Sequence, residues 1–299
     1  MMVSNALRPY RGRFAPTPSG ALHFGSLVAA LGSWLRARSC AGTWLIRIED
    51  LDPPREVPGA TESILETLSA FGMESDEPVV LQSSRTDNYT EALEKLRILG
   101  LAFPCWCSRS DLQVAGLHRG SCVAAPSITR NPAWRVRVDD QSIAFQDVVY
   151  GAVTQSLTEE VGDFVIRRIE GYFAYQLAVV VDDGAQGISE VVRGVDLLSS
   201  TPRQIWLQRA LQLQTPDYLH LPLVLDADGR KLSKQTRSLP VDRDDPLPAL
   251  RSALRFLGYP TAGIDGPRDV PALLRRAIEF FNIAAIPQSV IPSAEHEMQ

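Results

Sequence analysis

The sequence predicts an α/β fold built on a doubly wound parallel sheet, split by a cysteine-bearing insertion and followed by a small helical tail. Two observations predict it. Strand-like apolar runs alternate with helical patterns on either side of the middle of the chain, which argues for parallel βαβ units. Between about 103 and 161 that period is lost, and cysteines, glycines and short strand-like pieces replace it. The expected division is therefore 1–102 and 162–235 for the two halves of the sheet domain, 103–161 for the insertion and 236–299 for the tail.

Each element has its own signal. Arg13-Phe14-Ala15-Pro16 reads as a short strand stopped by proline, and Thr17-Pro18-Ser19-Gly20 as a turn. Leu27, Leu31 and Leu35 recur at helical spacing, so a helix is expected from about Ser26 to Arg38. Thr43 to Ile48 has strand composition and ends in Glu49-Asp50-Leu51-Asp52. Helical patterns at about 59–71 and 86–99 flank a strand at Pro78 to Leu81. Trp134 to Val138 is strand-like within the insertion. Beyond it, Asp163 to Ile169 and Leu219 to Leu225 read as strands, and Pro202 to Leu213 as a helix. The buried-looking Leu177 to Val181 reads as a strand closed by Asp182 and Asp183, for which solvation is one reading and a role in binding the alternative. Two helices are expected in the tail, at about 246–257 and 270–282.

Composition narrows the function classes. The chain has 299 residues, 45% of them hydrophobic and 22% charged, as expected of an ordinary globular protein. No apolar run approaches the ~18 residues of a membrane span, and the first residues have no apolar core of signal length, so a cytoplasmic enzyme is expected. The formal charge of −5 excludes a chain that attracts nucleic acid over its whole surface; contact with RNA would need a local patch. Of 30 basic residues only Lys95, Lys231 and Lys234 are lysines. Two of them sit within four residues of each other, which marks a site needing a compact charge on a flexible stem.

Three constellations carry chemistry. In the first, a turn leads into His23-Phe24-Gly25-Ser26 at a helix start. Unpaired N–H groups and the helix dipole favour a phosphate there, Gly25 permits close approach, and His23 can donate to phosphate oxygens. The alternative is a helix that happens to begin with histidine. The second is Arg230-Lys231-Leu232-Ser233-Lys234-Gln235, a loop able to neutralise a polyphosphate or, alternatively, a solvated basic turn. The third is Cys105, Cys107, His118 and Cys122. Three thiolates and an imidazole suit one closed, structural Zn²⁺ per chain; the alternatives are free core cysteines or a redox pair, although a disulfide between the positions of a CxC would be strained. Cys40 has no partner in sequence and reads as a small buried hydrophobe, while His220 and His296 read as structural or surface.

Together the first two motifs reach a family. HFGS followed 208 residues later by KLSKQ resembles the two ATP-binding signatures of class I aminoacyl-tRNA synthetases, commonly written HIGH and KMSKS. RFAPTPSGALHFGSL and LIRIEDLDPPR resemble the glutamyl and glutaminyl branch, and the resemblance runs from about Arg11 to Gln235. It implies a Rossmann-like class I synthetase catalytic domain acting on ATP with Mg²⁺, L-glutamate and a tRNA.

The resemblance further implies that Arg13, Phe14, Ala15, Pro16, Thr17, Glu49, Tyr175 and Arg193 surround the glutamate. It assigns ATP to His23, Gly25, Ser26, Lys231, Ser233 and Lys234, with His23, Lys231 and Lys234 acting in catalysis. Chemistry agrees: a side-chain carboxylate calls for the planar fork of Arg13 or Arg193, and an ammonium group for a carboxylate such as Glu49. Relatives often carry tyrosine where this chain has His118, so water or a neighbouring carboxylate is an alternative fourth metal ligand.

The 64 residues after Gln235 are short for the anticodon-binding domain of longer members. With the CxC cluster and FAYQLAVVVDD, this makes the chain similar to the branch that transfers glutamate to queuosine in tRNA(Asp). The alternatives are a truncated glutamyl-tRNA synthetase charging the acceptor end, an inactive RNA-binding paralogue and a general nucleotidyltransferase. A monomer without a membrane partner is expected.

Overall fold

A computed structural model describes residues 9–112, 117–139, 142–224 and 240–288. The chain runs through β1 (Arg11–Phe14), α1 (Phe24–Ser39), β2 (Thr43–Ile48), α2 (Ala60–Ala70), β3 (Val80–Leu81) and α3 (Thr86–Ile98). β4 (Ala102–Cys105), β5 (Ala133–Val136), β6 (Ser142–Asp147), β7 (Gly151–Ser156), α4 (Leu157–Glu160) and β8 (Val165–Arg167) follow. Then come α5 (Tyr175–Ala185), β9 (Glu190–Gly194), α6 (Thr201–Leu211), β10 (Asp217–Leu221), α7 (Pro246–Phe256), α8 (Thr261–Ile264) and α9 (Val270–Glu279).

β1, β2 and β3 form one parallel ladder, with Phe14 opposite Ile46 and Ile48 opposite Leu81. A second sheet has the order β7-β6-β10-β9; β6, β10 and β9 are parallel, and β7 is an antiparallel edge. The two abut where Ser189 N–H donates to the Arg11 carbonyl at 2.9 Å. Strand succession reverses across this β1/β9 seam, which is where open α/β sheets bind ligands. β4, β5 and β8 form a separate antiparallel sheet.

Alternation along the strands shows the sheet to be covered on both faces. Trp44, Ile46, Ile48, Val192, Leu219 and Leu221 pack into one core with α1, α2, α7 and α9. Their neighbours Leu45, Val191 and Tyr218 pack into another with α3, α5 and α6. The period of two then places Arg13, Arg47, Glu49, Arg193 and His220 on the α5 face, since each lies an even number of residues from a residue of that face or an odd number from the other. One strand parity thus gathers polar groups that are far apart in sequence.

Several expectations change. Leu177 to Val181 is helical, within α5, rather than a strand. Leu177, Ala178, Val179 and Val180 are all buried, so the run lacks the polar face from which a helix is read, and valine content misled. Asp182 and Asp183 are not in solvent but 0% and 5% exposed. Strand β9, which carries Arg193, is an addition to the expected elements. Cys40 is exposed and caps the C-terminus of α1, its N–H donating to Ala37, so it is not a core residue. Among the described residues, no helix is long and apolar enough to cross a membrane.

Candidate active site and metal centre

Two carboxylates on α5 organise the arginines of the parallel strands. Asp183 accepts from Arg13 Nε at 3.0 Å and Nη2 at 3.3 Å, and from Arg47 Nη2 at 2.7 Å. Burial raises the pKa of such a carboxyl, but the two guanidinium groups outweigh it and hold Asp183 below its ordinary value. Asp182 accepts from Gln82 Nε2 at 2.8 Å, Tyr89 Oη at 2.7 Å and Arg85 Nε at 2.5 Å. Removing one member of such a buried pair typically costs about 3–5 kcal/mol, because the other is left as an uncompensated charge. The buried, arginine-organising role of Asp182 and Asp183 is not visible in their local sequence; the matching parity of Arg13 and Arg47 is the signal for it.

Glu49, just beyond β2, is differently placed. Its Oε1 is buried without a hydrogen-bond partner, and Arg47 Nη2 stands 3.8 Å away. Burial, only partly offset by Arg47 and Arg13, pushes its pKa up to about 7. Its backbone N–H donates to Pro16 O at 2.9 Å, which ties the end of β2 to the segment after β1. Phe14 stacks on Trp44 at 6.5 Å in the core of the opposite face, so its side chain points away from Arg13. Ala15, Pro16 and Thr17 continue from β1 beside it, with Thr17 O accepting from Ser19 N.

Arg193 ends its strand almost fully buried and is bonded to Tyr175 Oη at 3.1 Å. No carboxylate lies within ion-pair distance of it among the described residues. Burial raises the Tyr175 pKa, and the tyrosine also feels Arg193, Glu49 and Arg13, so these four share one locality. The structure therefore brings the predicted Arg13, Glu49, Tyr175 and Arg193 together at the β1/β9 seam.

His23 is the N-cap of α1. Its Nδ1 accepts from Ser26 N at 3.2 Å, and its Nε2 lies 3.0 Å from Ser26 Oγ. The first turn of this 16-residue helix holds no acidic residue, which leaves the positive end of its dipole uncancelled by side chains. Gly25 and Ser26 belong to that turn. Lys231, Ser233 and Lys234 lie outside the described residues. Pro240, the first described residue after them, bridges to His23.

In the insertion, ligand atoms of Cys105, Cys107, His118 and Cys122 all lie within 4.8 Å of one another, a donor set able to hold a metal ion. His118 Nε2 is 3.5 Å from Cys122 Sγ, while Nδ1 pairs with Asp163 Oδ2 at 2.8 Å. The Asp163 carboxylate thus sits behind the imidazole and orients it. Burial and the neighbouring thiols push Cys122 up to about 12, so a cation is what would favour three thiolates together. Gly162, at φ 69°, lets the chain press against His118; a Cβ there would run into the His118 carbonyl oxygen. The other strands of 103–161, β6 and β7, pair into the parallel-containing sheet.

Comparison with known proteins identifies the fold. Residues 10–131 and 126–266 match the family described as tRNA synthetases class I (E and Q), catalytic domain. A glutamyl-Q tRNA(Asp) synthetase of Xanthomonas campestris is 55% identical over 280 residues, 94% of either chain. One from Burkholderia cenocepacia is 54% identical over 274 residues, 87% of this chain and 91% of that one. The solved structure of a glutamate tRNA ligase from Elizabethkingia meningosepticum superposes with a TM-score of 0.78 at 24% identity, covering 94% of this chain and 66% of that one, which supports the fold. The chain belongs to the class I (E and Q) tRNA synthetase family, alongside relatives named glutamyl-Q tRNA(Asp) synthetase.

Proposed function

We propose that the protein activates L-glutamate with ATP in the absence of tRNA and then transfers the glutamyl group to the queuosine base in the anticodon of tRNA(Asp). The observation that carries the glutamate reading is the pair of opposite groups at the seam: Arg193, with no carboxylate in ion-pair distance among the described residues, and Glu49, whose buried Oε1 accepts no hydrogen bond and has Arg47 Nη2 only at 3.8 Å. An amino acid with an anionic side chain and a cationic ammonium group supplies what each lacks. The names of the relatives support the choice of acceptor.

On this reading Glu49 holds the ammonium group, and Arg193 with Tyr175 holds the side-chain carboxylate. Arg13 lends positive charge from its place against Asp183. ATP, with its accompanying Mg²⁺, lies at the N-terminus of α1, where His23 and the helix dipole face the phosphates. The α-carboxylate attacks the α-phosphorus and pyrophosphate leaves beside Lys231 and Lys234; a hydroxyl of the cyclopentenediol then attacks the acyl carbon of the mixed anhydride, taking the glutamyl group as an ester while AMP leaves. Positioning and charge stabilisation do this work without a covalent enzyme intermediate. Cys105, Cys107, His118 and Cys122 would hold a structural Zn²⁺ with no open position for chemistry.

His23→Ala and Lys234→Ala are each expected to slow ATP–pyrophosphate exchange by roughly 10²-fold or more. The His23 variant also loses an N-cap, so its melting point is measured in parallel; near-wild-type exchange in both variants would remove the assignment to ATP.

The Glu49 carboxyl makes a pH prediction with a definite sign. Below about 7 it is protonated and cannot hold an ammonium group, so kcat/KM for glutamate should fall as pH drops through that value. Glu49→Gln should lack that acidic limb; an unchanged profile in the variant would place the limb on another group.

The acceptor is tested with labelled glutamate, ATP and tRNA from cells able or unable to make queuosine. Label should enter only queuosine-containing tRNA(Asp), and should still enter it after its terminal adenosine has been trimmed away. Equal labelling of both pools, or loss of labelling on trimming, would favour charging of the acceptor end.

A further inference from the structure

The surroundings of Arg193 hold more than a binding group. A guanidinium carries five N–H donors. Arg193 Nε donates to His220 Nε2 at 3.1 Å; Nη1 to Tyr175 Oη at 3.1 Å and Gln204 Oε1 at 2.8 Å; Nη2 to Leu197 O at 3.2 Å and Thr201 Oγ1 at 2.7 Å. All five acceptors are uncharged. The guanidinium carbon also lies 5.6 Å from the Tyr218 ring centroid, another neutral surface that favours a cation. The contrast with other strand and helix arginines is plain: Arg13 and Arg47 pair with Asp183, and Arg36 with Glu190.

The neutrality of His220 is built in. His220 and Asp147 are both 0% exposed, with Nδ1 2.7 Å from Asp147 Oδ2. An ionised carboxylate can only accept, so it fixes the proton on Nδ1 and leaves the Nε2 lone pair for Arg193 Nε–H. Burial and the adjacent Arg193 push the His220 pKa down to about 4, well clear of neutral pH. The charge of Asp147 is itself met by the backbone N–H groups of Val149, Tyr150 and His220, and the imidazole ring separates it from the guanidinium. A carboxylate placed directly on Arg193 would have held it as firmly but cancelled its charge.

We propose that His220, Asp147 and Gln204 are positioning and specificity-determining residues: they hold Arg193 in a cage of uncharged acceptors, so that its charge stays available to the anionic side chain of the substrate. The inference rests on the reading that Arg193 grips glutamate. Within the cage, the Tyr175 hydroxyl can turn from acceptor to donor, and so can share the incoming carboxylate with Nη1. The cage selects glutamate over glutamine because only the carboxylate gains from a cation that no carboxylate contacts; the neutral amide does not.

Gln204→Glu tests this directly, since it keeps the shape and puts a carboxylate against Nη1. Gln204→Met controls for the lost polar contacts, which include Gln204 Nε2 to Gln176 Oε1 at 2.9 Å. In ATP–pyrophosphate exchange the Glu variant should raise the KM for glutamate by roughly tenfold or more and narrow the preference over glutamine, with kcat at saturation much less affected. Gln204→Met should do so clearly less. His220→Gln, which alters the Nε acceptor, should also raise KM; if it fails to fold, the two Gln204 variants still decide. Equal effects of Glu and Met at 204, or a wild-type KM and selectivity in Gln204→Glu, would overturn the cage while Arg193→Ala still raises KM. A wild-type KM in Arg193→Ala would instead overturn the glutamate site, and the cage with it.

Discussion

Arg193→Ala is expected to lower kcat/KM for glutamate in ATP–pyrophosphate exchange by on the order of 10²-fold or more, because truncating one side of a desolvated charge pair loses the pair and strands the other charge. Binding of ATP alone should survive, since α1 and its N-cap lie on the opposite face of the sheet from Arg193. The residual activity should be less selective: glutamine, which needs no cation, should lose far less than glutamate. Five acceptors are also left without their donor, so some loss of stability is expected, and the melting point must be followed to separate it from the substrate effect. Arg193→Lys restores the charge but not the five-donor fork, and should recover only part of the KM. If glutamate kinetics and selectivity stay at wild-type level in Arg193→Ala, the side-chain carboxylate is gripped elsewhere.

How far the sequence disclosed this site depended on whether a residue's role was local. β2 was legible to the residue, and α1, α2 and α3 to within about two, because each carries a one-sided pattern or a clear end signal. The cysteine cluster was legible because metal ligands keep short spacings, and the structure brings all four predicted ligand atoms together. α5 was not, since a helix buried on all sides has no period to read, and its Val-rich run resembles a core strand. Asp182 and Asp183 were misplaced for the same reason: adjacent aspartates normally mean solvent, and only their partners Arg13, Arg47 and Arg85, between 97 and 170 residues away, reverse that. His220 and Asp147 carried no signal at all. Their roles exist only through the pairing of β6 with β10 and of β10 with β9, a register that no short motif encodes.

Cys105→Ser is the second large effect expected. Metal by elemental analysis should fall from roughly one atom per chain to near none, since the site needs four closed ligands and tight binding needs thiolates. The ordering of the insertion should fall with it, because in small metal modules the ion's binding energy is folding energy, of order 10 kcal/mol in apparent terms. His118→Ala should be comparably damaging, as it removes a ligand and leaves the Asp163 carboxylate, 3% exposed, without its imidazole partner. The damage has a route to the active site: β4 pairs with β5, β5 with β8, and Ile166 O of β8 accepts from Ala174 N at the start of α5, next to Tyr175. Loss of metal should therefore raise the KM for glutamate as well as loosen β4 and β5. Hydrogen exchange can separate the two consequences: faster exchange across β4 and β5 in Cys105→Ser, together with a higher glutamate KM, is the expected result. A metal-free wild-type protein with full protection there would end the case for a structural ion.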